Sequence, residues 1–265
     1  MSQNIQFNKS AINAGDCISQ GWEAIKSQYW LFFGVAFLAF VITACIPCLN
    51  IFLVGPIMAG IFIIHFTLFR RQPVDFGMMF KGFEKFVPAM VVGLIQAIPG
   101  IVMQGVQYTL DLGNMTKEIL RQKGIGNTNF LAQPSSQDLA LSGGIIVIAL
   151  VVGLVFFLLM MAWNITFYFA IPIIADKDCS VGEAISLSAK AGWGNVGGII
   201  VLAILQGLVG FAGALACGIG IFFVLPILYA SAAMAYRQVF PDTPPPQYNT
   251  PPQPNAYGGS YGQPM

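Results

Sequence analysis

The residues in this sequence whose types could do chemistry are few: one histidine, a C-x-x-C pair and a set of uncharged amides. His65 is the sole histidine, and no Asp or Glu lies near it in sequence. A zinc site takes four ligands, or three and a water, drawn from Cys, His, Asp and Glu. His65 is therefore expected to hydrogen-bond a neighbouring helix or reach the membrane interface. Cys45 and Cys48 form the C-x-x-C pair around Ile46-Pro47. Redox-active pairs of this spacing belong to a βαβ setting, and nothing nearby reads as a strand. Cys217 occupies the corresponding turn of a later hairpin. Two readings stay open for these cysteines: small turn residues, or a structural disulfide among Cys45, Cys48 and Cys217 on an oxidising outer face. Gln96, Gln104 and Gln107 fall close to one helix face, with Asn164, Asn195 and Gln206 in later apolar runs. Gln96, Gln104, Gln107 and Asn164 could line a polar passage, or such amides could bond helix to helix. No nucleophile–base pair or metal set assembles from these residues, so the expectation is a non-enzyme with no catalytic residue, no cofactor and no metal.

The segments that would position these groups are apolar. The chain has 265 residues, 56% hydrophobic and only 9% charged, with a mean hydropathy of +0.73. Soluble domains average about 25% charged residues. The net charge of +1 and the lack of a basic stripe set nucleic-acid binding aside. No Asp, Glu, Lys or Arg falls between Lys26 and Arg70, or between Lys190 and Arg237. Each gap is too long for one span of roughly 20 residues and suits two joined by a tight turn. Residues 46–50 and 217–220 supply the turns. The expected fold is all-α, a polytopic bundle of six membrane helices at about 30–46, 51–69, 87–110, 143–170, 195–216 and 219–236. The uncharged run through Ala175 exceeds one perpendicular span, so it should tilt or kink near Pro172. Residues 1–29 have no signal-peptide pattern, and the first span is expected to remain as an anchor.

Basic residues set the expected orientation. Lys9, Lys26, Arg70, Arg71, Lys81, Lys85, Lys177, Lys190 and Arg237 fall on one side, against Lys117, Arg121 and Lys123 on the other. The positive-inside rule then places both termini in the cytoplasm.

Three stretches ahead of the odd-numbered spans read as amphipathic helices at that same interface. Ala11, Ala14, Ile18, Trp22 and Ile25 mark the first, and Phe76, Met79, Phe80 and Phe83 the second, which Asp75 would cap. The third opens Ser180-Val181-Gly182-Glu183, a capping-box spacing, with a thinner apolar face suited to packing on protein. Residues 51–57 also echo residues 221–227, each run carrying a Pro before its last residue and later reaching an Arg-Gln pair. The bundle therefore reads as three hairpin units, each led in by an interfacial helix and entering from the same side. Between 111 and 138 lies an outer loop with a short helix expected over 115–123. Glycines at 194 and 198, and at 207, 210 and 213, favour close helix packing or a homo-oligomer contact.

Ala170-Ile171-Pro172-Ile173-Ile174-Ala175-Asp176, then Glu183-Ala184-Ile185 and Ser188, with a Gly-rich turn leading to Pro226 and the Tyr236-Arg237 exit, resemble a group of bacterial six-span membrane proteins. These are similar to the membrane domain found beside glycerophosphodiester phosphodiesterases. The resemblance covers about residues 10–240 and implies a bacterial inner-membrane setting. It transfers no catalytic residue, because the phosphodiesterase chemistry belongs to a separate domain. Residues 241–265 are rich in Pro, Tyr, Gln and Asn and cannot bury a core, so they read as a disordered cytoplasmic tail. Pro245, Pro246 and Tyr248 match the P-P-x-Y pattern of WW-domain ligands, a means of docking a protein partner. Two functions follow as expectations: a scaffold or accessory protein contacting the lipid bilayer and a partner through its tail, or a permease or channel-like component for a neutral or lipidic solute.

Overall fold

The computed structural model describes residues 6–45, 47–122, 136–216 and 218–241. All regular structure among them is helical. The helices are α1 (Ala14–Ile25), α2 (Tyr29–Cys45), α3 (Pro47–Phe69), α4 (Phe86–Gln122), α5 (Ser136–Phe167), α6 (Ala170–Asp176), α7 (Val181–Gly194), α8 (Val196–Leu215) and α9 (Gly220–Val239). A 3-10 turn at Lys26–Gln28 joins α1 to α2, and a 3-10 helix at Phe76–Lys85 leads into α4. Six helical stretches are long and apolar enough to cross a bilayer, where only internally satisfied backbone such as a helix is tolerated. The protein is a multi-pass, all-α membrane protein.

Some boundaries differ from expectation, α3 beginning at Pro47 within the stretch read as a turn and α5 beginning at Ser136. Helix α4 runs unbroken for 37 residues to Gln122, taking in residues 111–122 of the stretch read as an outer loop, whose residues 123–135 lie outside the described ones. No proline interrupts it after Pro99, and Gly113 alone costs too little to stop a helix. At 1.5 Å per residue it reaches about 55 Å, well beyond a hydrocarbon core of about 30 Å. The interruption near Pro172 is as the sequence suggests: helix α5 stops at Phe167 and the chain restarts as α6 at Ala170. Pro172 explains the break, having no N–H to donate and a ring that clashes with the carbonyl four residues back, at Tyr168.

The three lead-in segments bury their apolar edges against protein. Ala14, Cys17, Gly21 and Ile25 form the buried face of α1, which packs on α9. The Phe76–Lys85 helix packs on α3, and α7 packs on α5. Each lead-in thus docks on the second span of the preceding unit, and the first docks on the last, closing a ring of three. The second lead-in is 3-10 rather than α for a visible reason. Residues three apart eclipse in a 3-10 helix, which puts Phe76, Met79 and Gly82 on one edge. Phe76 lies beside Gly34, and Met79 and Gly82 meet the backbone at Gly60 and Pro56. Asp75 caps this helix by accepting from the Gly77 N–H at 2.7 Å. Phe80, off that edge, stays exposed, and Phe76 at its start is only partly covered.

Helix α3 is the hub: 56% of its span window is buried, against 11% for the span containing α5. At one end of the bundle the N-terminal arm is laced to α7, α8 and α9. The Asn8 N–H donates to Val239 O at 2.9 Å and the Ser10 N–H to Gly194 O at 3.0 Å. Buried Asn195 accepts from the Ala11 N–H at 2.8 Å and donates to Asn8 O and Ala191 O. The arm also sits against Gly194 and Gly198, Ile12 covering the latter, and Gly213 meets Gly220. Gly207 and Gly210 face open space.

Candidate functional site

The second spans of all three units end at one point. Asp176, the last residue of α6, has a side chain only 2% exposed and pairs with Arg70, just past α3. The Tyr236 hydroxyl of α9 donates to its Oδ2 at 2.8 Å, and Lys177 Nζ lies 2.9 Å from the same oxygen. Arg237 donates to Phe69 O at 3.0 Å, its guanidinium 5.5 Å from the Phe69 ring centroid. A buried carboxylate is costly unless it is paired and hydrogen-bonded, and Asp176 receives partners from three segments. Helix α3 closes beneath this knot with Arg71 in the left-handed region at φ 57°. Its N–H donates to Leu68 O and that of Gln72 to Thr67 O, a Schellman-type stop.

The neighbouring loop is fastened as well. Lys85 Nζ lies 3.0 Å from Asp178 Oδ1 and donates to Lys177 O at 3.3 Å. At the start of α7, Ser180 and Glu183 form the expected capping box. The Ser180 backbone N–H and hydroxyl hold the Glu183 carboxyl below its ordinary range. Burial, with Glu183 adding its charge, pushes the Cys179 thiol up.

Ser188 mends the break between α5 and α6. Its Oγ accepts from the Phe169 N–H at 3.1 Å and donates to Thr166 O at 2.8 Å. Two backbone groups at the break are thereby satisfied.

Further along the same helices from the knot lies a cavity of roughly 270 Å³ between the units. Met58 and Phe62 of α3, Gln96 of α4, Tyr168, Ile171 and Pro172 around the break, Gln206 of α8, and Leu228, Tyr229 and Ala232 of α9 form its walls. Gln96 Nε2 donates to Phe167 O at 2.7 Å. Gln206 Nε2 donates to Ser231 Oγ at 2.8 Å and to Leu228 O at 3.2 Å. The Tyr168 hydroxyl is buried and has no hydrogen-bond partner among the described residues.

Of the amides read from sequence, Gln96 and Gln206 meet at this cavity. Gln96 alone of Gln96, Gln104, Gln107 and Asn164 lines the cavity. Gln104 and Gln107 lie on an exposed stretch of α4, and Asn164 donates to Met160 O on its own helix. His65 turns to its own helix rather than a neighbour, its Nδ1 2.7 Å from Ile61 O and its ring against Phe32. The disulfide expectation falls outside the described residues, as Cys217 and the side chains of Cys45 and Cys48 are not described. So does the docking motif at Pro245, Pro246 and Tyr248. Cys17 and Cys179 are free thiols. Among the described residues, no three His, Cys, Asp or Glu side chains gather as a metal site. What sequence reasoning missed is the Asp176 knot, whose only trace there is a charged residue at each span exit.

No known family, curated protein or solved structure matches this chain.

Proposed function

We propose that this chain is a non-enzymatic scaffold or accessory protein of a bacterial inner membrane, contacting lipid along its outer helices and a protein partner through its tail. The supporting observation is that Asp176, Arg70 and Tyr236 fasten all three units at the end where the chain's described termini lie. A body locked there presents its tail from a fixed platform. The excess of Lys and Arg on that side supports a cytoplasmic position for both termini, and the resemblance to bacterial six-span proteins supports the membrane assigned. Affinity capture from solubilised inner membranes tests the reading. Proteins recovered with the full chain should be lost from a chain ending at residue 240, and identical recovery from both would sink it.

A second reading, a permease or channel-like component for a neutral or lipidic solute, draws support from the cavity between the units. In proteoliposomes, Gln96→Leu or Gln206→Leu should then slow solute flux by about tenfold, the worth of one well-made polar contact. Gln104→Leu should leave flux unchanged, and equal effects of all three would refute the route.

A further inference from the structure

We infer that the cavity between the three second spans is a binding site for the hydroxyl-bearing end of a neutral membrane lipid, an aliphatic alcohol or a diacylglycerol. The inference deepens the second reading by naming its ligand class, yet it rests on the cavity alone and stands if the protein moves nothing.

Two observations set that chemistry. The walls are built mainly from Met58, Phe62, Ile171, Leu228 and their apolar neighbours, with no Asp, Glu, Lys or Arg among them. The nearest carboxylate, Asp176, is already engaged by Arg70, Lys177 and Tyr236. A charged headgroup would therefore lose its hydration without gaining a partner. Next, Gln206 has both Nε2 hydrogens committed, to Leu228 O and Ser231 Oγ, and Gln96 has one of its two committed, to Phe167 O. What remains is a carbonyl oxygen on each side chain and a single N–H on Gln96, a set that a ligand hydroxyl, at once donor and acceptor, can meet. A volume of roughly 270 Å³ sits just under the range of pockets that engulf small ligands, about 300–1,000 Å³. It suits the end of a lipid and leaves the remainder among the lipid-facing helices.

The test uses the full chain in nanodiscs of phosphatidylethanolamine and phosphatidylglycerol, with diazirine-bearing hexadecanol as probe and the matching fatty acid and alkane as comparators. Photolabelling by the alcohol should be saturable, should be competed by unlabelled hexadecanol, and should map to wall residues such as Phe62, Ile171 and Leu228. Ala232→Phe, which fills the space, should cut it by about tenfold. Gln206→Leu, which removes an amide acceptor from the wall, should lower labelling by the alcohol and leave that by the alkane unchanged. Ala232→Met serves as the milder filling variant, and thermal melts confirm that each variant is folded. Labelling spread evenly over α5 and α8, equal labelling by the fatty acid, or indifference to every wall substitution would overturn the site. Absent flux with wall labelling intact removes the transport reading and leaves the site. Flux with no wall labelling removes the site alone.

Discussion

An Asp176→Ala chain is expected to lose about 3 kcal/mol of unfolding free energy, the low end of what breaking a buried ion pair costs. The low end applies because Arg70 is 39% exposed and water screens its side of the pair. Most of the loss comes from three segments surrendering one acceptor, including the Tyr236 hydroxyl, which is buried with the rest of its side chain. Asp176→Asn keeps an acceptor and removes the charge, so about 2 kcal/mol is expected. Tyr236→Phe gives up a single bond to a carboxylate and should cost about 1.5 kcal/mol. Unfolding of the full chain in mixed micelles, followed by tryptophan fluorescence, reads this order directly. An Asp176→Ala chain within about 0.5 kcal/mol of the parent, the scatter of ordinary surface changes, would show that the three spans do not depend on the knot.

Why the knot escaped the sequence is a matter of distance. Arg70, Asp176 and Tyr236 each sit at the exit of a span, which periodicity and hydropathy do reveal. That these exits meet is a tertiary fact, set by which lead-in packs on which helix. The lead-ins themselves were legible from their amphipathic spacing and caps, as with Asp75 and Ser180. Their partners were not. Gly21, Gly60 and Gly192 mark the three docking points, each with backbone of another segment where a Cβ would stand. Yet the chain holds 29 glycines, and Gly207 and Gly210, which share a tidy spacing, face open space. Glycine alone does not tell a contact from an exposed face.

The amides illustrate the complementary failure. Gln96, Gln104 and Gln107 do lie near one face of α4, as their spacing requires. The surroundings of that face change along the helix. Val92 and Gly93 are buried, whereas from Ile98 onward α4 carries exposed residues such as Ile101 and Val102. A helical wheel describes one turn's neighbours and cannot show where a long helix leaves the bundle. The six spans were readable for the opposite reason, since uncharged runs of that length have no stable alternative in lipid.

Substituting Gly60 should be as damaging as removing Asp176, through shape rather than charge. A Cβ at Gly60 would fall inside the van der Waals shell of the Met79 carbonyl oxygen, and one at Gly82 would meet the Gly60 backbone in return. Both sides of this contact are backbone, so no side chain can rotate away, and α3 is the most buried span. Gly60→Ala is expected to cost about 3 kcal/mol, the upper part of the usual overpacking range. Gly60→Leu should prevent the Phe76–Lys85 helix from docking at all. Gly207→Ala is the matched control, because open space surrounds it. It gains about 0.5–1 kcal/mol of helix propensity and should be neutral or mildly stabilising. Hydrogen exchange over residues 76–85 separates local from global effects. Those amides should exchange faster in Gly60→Ala before the spans lose protection, because the lead-in is held mainly by this backbone contact. Unchanged exchange there, with an unchanged unfolding midpoint, would mean that the segment does not need the close approach the structure gives it.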